Sequence, residues 1–164
     1  MEGREVIKKT HRIAAMVGYS VFGAIALYFV LVQLIKMKIP EFSGLYTVTD
    51  NQTLKNLRYL FYGLSAISVL LARILQSVLL RKKPGDRPED LLNKLHRTSL
   101  IMVIMSEMPA LFGLILFLLL GLERDFHILL IVSVIVLFIF FPRRKNWEEW
   151  LADQLQGTPP GQSA

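Results

Sequence analysis

The sequence predicts an all-α, polytopic membrane protein: four transmembrane helices in a bundle, followed by a C-terminal interfacial amphipathic helix. Three observations predict it. The 164 residues are 53% hydrophobic with mean hydropathy +0.45, more apolar than a soluble domain of this size would be. Four apolar runs, at about 13–35, 57–80, 98–122 and 126–141, approach or exceed the ~20 helical residues that a bilayer core demands. Basic residues gather in alternate connecting segments, as they do in cytoplasmic loops.

The first run follows a short basic segment, MEGREVIKKTHR, and is too long for the apolar part of a signal peptide. It carries Ala14, Gly18, Ser20, Gly23 and Ala24, small residues that let helices approach closely. A polar connection with Pro40, Ser43 and Gly44 follows, and Asp50 is placed to cap the next helix. In the second run Tyr59 and Tyr62 suit an interfacial aromatic belt, and Ser65, Ser68 and Ala72 make a face of small residues. Ala66, Arg73 and Ser77 fall together at helical spacing on a side expected to face protein.

The connection RKKPGDRPEDLLNKLHR holds a Pro84-Gly85 turn and an acidic start near Pro88, so the third helix is expected to begin there and run unbroken into the membrane. A short turn at Gly121–Asp125 leads to the fourth run, which Pro142 should end. Residues 143–156 read as the amphipathic helix, with Trp147 and Trp150 as interfacial anchors, and 157–164 as a disordered tail.

Arg4, Lys8, Lys9, Arg12, the Arg81–Arg97 connection and Arg143-Arg144-Lys145 lie on one side, which the positive-inside rule makes cytoplasmic. Both termini are then cytoplasmic, and the expected setting is a bacterial plasma (inner) membrane. The lipid bilayer is one partner, and a homo-oligomer or larger membrane complex is another. The net charge of +6 is accounted for by loop bias, and no basic segment is interleaved with base-stacking aromatics, so nucleic acid is not expected. The absence of cysteine excludes thiolate metal sites and disulfides. His11 and His96 at one boundary and His127 at the other read as interfacial and solvated, at the wrong depth for haem. No nucleophile–base pair, phosphate loop or metal-ligand spacing appears, so neither an enzyme nor a metal site is expected.

Two charges interrupt the apolar runs, Arg73 and Glu107. A lone charge at mid-bilayer costs roughly 2.5–3.5 kcal/mol on insertion scales. Arg73 stands eight residues from Arg81, about 12 Å along a helix, and Glu107 ten from Arg97, about 15 Å. On antiparallel helices they would share a level, and the expectation is a buried Arg73–Glu107 pair. Pro109 should kink the third helix and free the carbonyl of Met105. Ser106, Ala110 and Gly113 keep that side of the helix thin. Acid, hydroxyl and freed carbonyl at one depth are the oxygens that a proton or sodium ion would use; no other cofactor is expected.

The stretch SEMPALFGLILFLLLG, Ser106–Gly121, resembles the acid-bearing second helix of the rotary ATPase proteolipids, the subunit c family. There a mid-membrane acid is followed by small residues, an aromatic-Gly pair and an apolar run, and the carboxylate binds the translocated proton or sodium ion. The resemblance implies that role for Glu107, with Ser106 beside it. Two features differ: the family's first helix is rich in glycine where 57–80 holds only Gly63, and its arginine belongs to a separate subunit. Three readings of Glu107 therefore stand: a static pair with Arg73, an ion or proton site, and contact with a partner or lipid. For the whole chain they translate into a proteolipid-like subunit or a non-transporting accessory subunit that scaffolds a larger complex.

Overall fold

The structure, a computed structural model, describes residues 2–46, 50–80 and 88–141. It is all-α over those residues, with α1 (Glu2–Lys38), α2 (Asn51–Leu79), α3 (Pro88–Leu120) and α4 (Glu123–Phe140). Three stretches, Arg12–Lys38, Asn51–Leu79 and Asn93–Leu120, are long and apolar enough to cross a membrane. The helices run alternately up and down. Residues 142–164, with Trp147, Trp150 and the expected amphipathic helix and tail, lie outside the described residues, as does the cap expected at Asp86.

The bundle is organised around α3, which packs on all three other helices, whereas α1 and α2 barely touch. Periodicity explains how each helix meets it. In α1 the buried positions Ala14, Gly18, Val21, Ile25 and Val32 step by four and three, the seam of a left-handed packing. The helix also extends outward from the expected 13–35, taking in the basic N-terminal segment. α3 is one unbroken helix from Pro88, with Pro109 inside it. α4 buries Phe126, Leu129, Ser133, Val136, Leu137 and Phe140 against its neighbours.

Two expectations are corrected by helix geometry. The buried stripe of α2 is Ser65, Ser68 and Ala72. Ala66, Arg73 and Ser77, expected to face protein, are exposed. Ala66 and Arg73 each lie one residue beyond the stripe, a rotation of about 100°. The Gly121–Asp125 turn is shorter than expected, because α4 already starts at Glu123 and takes Glu123 and Asp125 into its first turn, where acids oppose the helix dipole.

The end that joins α1 to α2 and α3 to α4 is closely knit. Gly121 ends α3 with φ 68° and its N–H donates to the carbonyl of Phe117 at 2.8 Å. The loop after α1 crosses this point, where the N–H groups of Leu45 and Tyr46 donate to the carbonyls of Leu118 and Leu119 at 2.9 Å. Terminal α3 acceptors are thereby satisfied by another part of the chain. A Cβ on Gly121 would stand 2.6 Å from the carbonyl carbon of Ser43, so both conformation and space require glycine. At the other end Gly18 receives the ring of Phe141. Phe141 itself is extended (φ −57°, ψ 129°), as expected of a residue that precedes proline.

Asp50 caps α2, accepting from the N–H groups of Gln52 and Thr53 at 3.1 and 3.0 Å and from the Thr53 hydroxyl at 2.6 Å. The Thr53 hydroxyl first, and then these N–H groups, hold its carboxyl below the usual range. A carboxyl whose folded value is depressed stabilises the fold at pH above its unfolded value and loses that contribution as pH falls through the folded one. Acidification through that range should therefore fray the start of α2. Amide hydrogen exchange at Gln52 and Thr53 should accelerate there, and Asp50→Ala should produce the same acceleration at neutral pH.

Close packing gives a second expectation. A Cβ on Gly113 would meet Leu129 Cβ at 3.0 Å and the Phe126 backbone at 3.2 Å, whereas one on Gly63 would meet nothing within 4 Å. Gly113→Leu should separate α3 from α4 and cost about 1–3 kcal/mol, read as a lower melting temperature in detergent. Gly63→Ala should leave melting unchanged or raise it slightly.

Candidate functional site

Glu107 lies at mid-helix in α3, half-buried, and accepts a hydrogen bond on Oε1 from the hydroxyl of Tyr28 on α1. Tyr28 occupies the seam position between Ile25 and Val32, so the periodicity that packs α1 also aims its phenol at α3. Leu130 and the ring of Tyr28 lie against both core groups that flank this level: Val21, Ile25, Val103, Ala110 and Leu137 in one, Val32, Phe117 and Phe126 in the other.

The expected Arg73–Glu107 pair does not form. Among the described residues the ion pairs are Lys36–Glu123 and Arg58–Asp125. Arg73 is exposed on the flank of α2, and its guanidinium lies over the ring of Phe140, 5.4 Å from the centroid. This is cation–π geometry. Residue spacing gives the two one depth along their helices, but a helix also has an azimuth. Glu107 is turned toward α1, whereas α2 packs on a different side of α3.

Azimuth also separates Glu107 from its neighbour. Ser106 is fully buried; its hydroxyl donates to the carbonyl of Val103 at 2.6 Å. Its own carbonyl accepts from the hydroxyl of Ser133 on α4. Pro109, also fully buried, removes an N–H from the turn that holds Ser106 and Glu107. Neighbouring hydroxyls commonly make such a turn tolerable inside a membrane helix. Ser106 and Glu107 thus face different helices, and the acid and hydroxyl expected at one point diverge. Ala72 and Ala110 are fully buried and Gly113 is buried, each at a helix contact.

A second polar cluster lies where the two upper connections meet. Asp125 is 2% exposed and accepts from Arg58 Nη2 at 2.7 Å and from the Tyr62 hydroxyl at 2.8 Å. Lys36 meets Glu123 at 3.3 Å. His127, expected to be solvated, is half-buried in T-shaped contact with the rings of Phe29 and Phe126, and its Nδ1 donates to the carbonyl of Glu123 at 2.8 Å. His96 is likewise half-buried, with Nδ1 out of reach of any partner among the described residues. The His11 side chain lies outside the described residues.

Sequence reasoning missed Tyr28, Ser133 and Asp125. Tyr28 and Ser133 carried only a seam position and a hydroxyl in an apolar run, and neither names a partner on another helix. Asp125 reads in sequence as the end of a turn. Comparison with protein-family models, with curated proteins and with solved structures returns no match.

The Asp125 cluster gives a direct expectation. Arg58→Met would leave a nearly buried carboxylate short of its charged donor, and should cost about 2–3 kcal/mol. Asp125→Asn combined with Arg58→Met should cost less than the sum of the single changes, since the two share one interaction. Thermal melting of the four proteins in one detergent measures the coupling.

Proposed function

We propose that the chain is a small integral membrane subunit whose working group is Glu107, a carboxyl that reversibly binds a proton or sodium ion in the manner of the proteolipids. One observation carries the reading: an acid midway along an apolar helix has a phenol for its partner and, among the described residues, no cation. A guanidinium beside it would hold the carboxylate ionised and block reversible binding. With Arg73 directed to Phe140, that obstacle is gone. Intramembrane acids that lack a fixed counter-ion are by default functional groups.

In this reading α4 is a fourth crossing, and both termini are cytoplasmic. Support comes from the Asp125 cluster. The charges of the first turn of α4 meet Lys36 at the end of α1 and Arg58 near the start of α2. They thus lie at the level where those two helices leave the apolar zone, and the remainder of α4 is apolar. The start of α1, the end of α2, the start of α3 and the end of α4 lie at the opposite end, which this reading makes cytoplasmic because the basic residues of the sequence flank those helix ends.

A hydrophobic carbodiimide, which attacks protonated carboxyls within membranes, tests the role of Glu107. Labelling of the protein in native membranes should map to Glu107, decline as pH is raised, and vanish in Glu107→Gln. Absence of labelling at every pH would reject cation binding and leave the accessory-subunit reading.

A further inference from the structure

The oxygens around Glu107 bear on which cation it takes. A sodium ion requires several oxygen ligands converging on one point, which transporters supply from unwound helices and half-helix ends. Among the described residues no such convergence exists around Glu107. α3 is helical from Pro88 to Leu120, so its carbonyls near Glu107 run along the helix axis, and Pro109 leaves that of Met105 alone without its helical donor. The Ser106 hydroxyl is directed to Val103, and the Ser106 carbonyl is occupied by Ser133 on another side of α3. Among the described residues, the hydrogen-bond partner of Glu107 is Tyr28 alone. Among the described residues, Asp125 of α4 is engaged with Arg58 and Tyr62, and Arg73 of α2 lies against Phe140.

A single phenol donor suits a proton site. Tyr28 donates to Oε1, and Oε2 has no hydrogen-bond partner among the described residues. In the ionised form Oε1 is a carboxylate oxygen, and in the neutral form, with the proton on Oε2, it is the carbonyl oxygen of the acid. Both accept the same hydrogen bond, so the proton can come and go without rearrangement of α1 against α3. A sodium ion would instead have to bring its own water into an apolar contact.

We infer that the Glu107 site binds a proton and excludes sodium, with Tyr28 of α1 as the positioning residue that holds the carboxyl in both charge states. The inference rests on cation binding at Glu107 and adds the identity of the cation and the role of Tyr28.

Infrared difference spectroscopy on the full chain in lipid vesicles, with acid-minus-alkaline spectra recorded in sodium chloride and in choline chloride of equal strength, tests it. A protonated-carboxyl C=O band that disappears in Glu107→Gln should be the same in both salts. In Tyr28→Phe, where the carbonyl loses its donor, the band should move to higher frequency. Carbodiimide labelling should likewise be unaffected by sodium. Suppression of the band or of labelling by sodium would overturn proton selectivity while leaving cation binding at Glu107 standing. An unmoved band in Tyr28→Phe, with helicity by circular dichroism unchanged, would overturn the role of Tyr28. No Glu107 band at any pH would remove both the inference and the cation-binding reading beneath it.

Discussion

In an apolar bundle a polar group is stable only where another polar group meets it, because no water stands by to replace a missing partner. The described interior follows that constraint at mid-helix, with His96 Nδ1 and Thr98 Oγ1 of α3 as exceptions. Ser68 and Ser106 turn their hydroxyls back to carbonyls three residues earlier in their own helices, which satisfies them without help from a neighbour. Tyr28 and Ser133 instead reach across to α3 and find Glu107 and the Ser106 carbonyl. The turn that carries Pro109 is thus held from two sides, by α1 and by α4, at the point where α3 has lost a hydrogen bond of its own.

That arrangement explains why α3 is the centre of the bundle. It bears the acid, the proline and Gly113, three features that each demand a close neighbour. Gly113 lets α4 approach to backbone contact, and the acid and the Ser106 carbonyl receive hydroxyls from flanking helices. α2 packs on α3 along the face that carries its narrow stripe of Ser65, Ser68 and Ala72, and meets α4 through a few side chains. Arg58 and Tyr62 tie it to Asp125 of α4, and Arg73 lies against Phe140 near the other end of α4. The ion pairs among the described residues therefore sit near helix ends, whereas at mid-helix the contacts Tyr28–Glu107 and Ser133–Ser106 are made by hydroxyl donors.

The sequence by itself determined the helical class, three spans by length and hydropathy, the unbroken third helix from Pro88, the Asp50 cap and the Ser65, Ser68 and Ala72 stripe. These are consequences of local chemistry: apolar runs cannot leave their backbone groups unpaired in lipid, and a cap acts within three residues of its helix. Only the tertiary structure decided which charges met. Residue spacing fixes depth along a helix, and depth alone made Arg73 and Glu107 look like partners. The rotation of α3, set by the packing of Ala110, Gly113 and the seam of α1, turned Glu107 to Tyr28 and left Arg73 outside the bundle. Contacts between helices depend on azimuth as well as height, and azimuth belongs to the packed bundle as a whole.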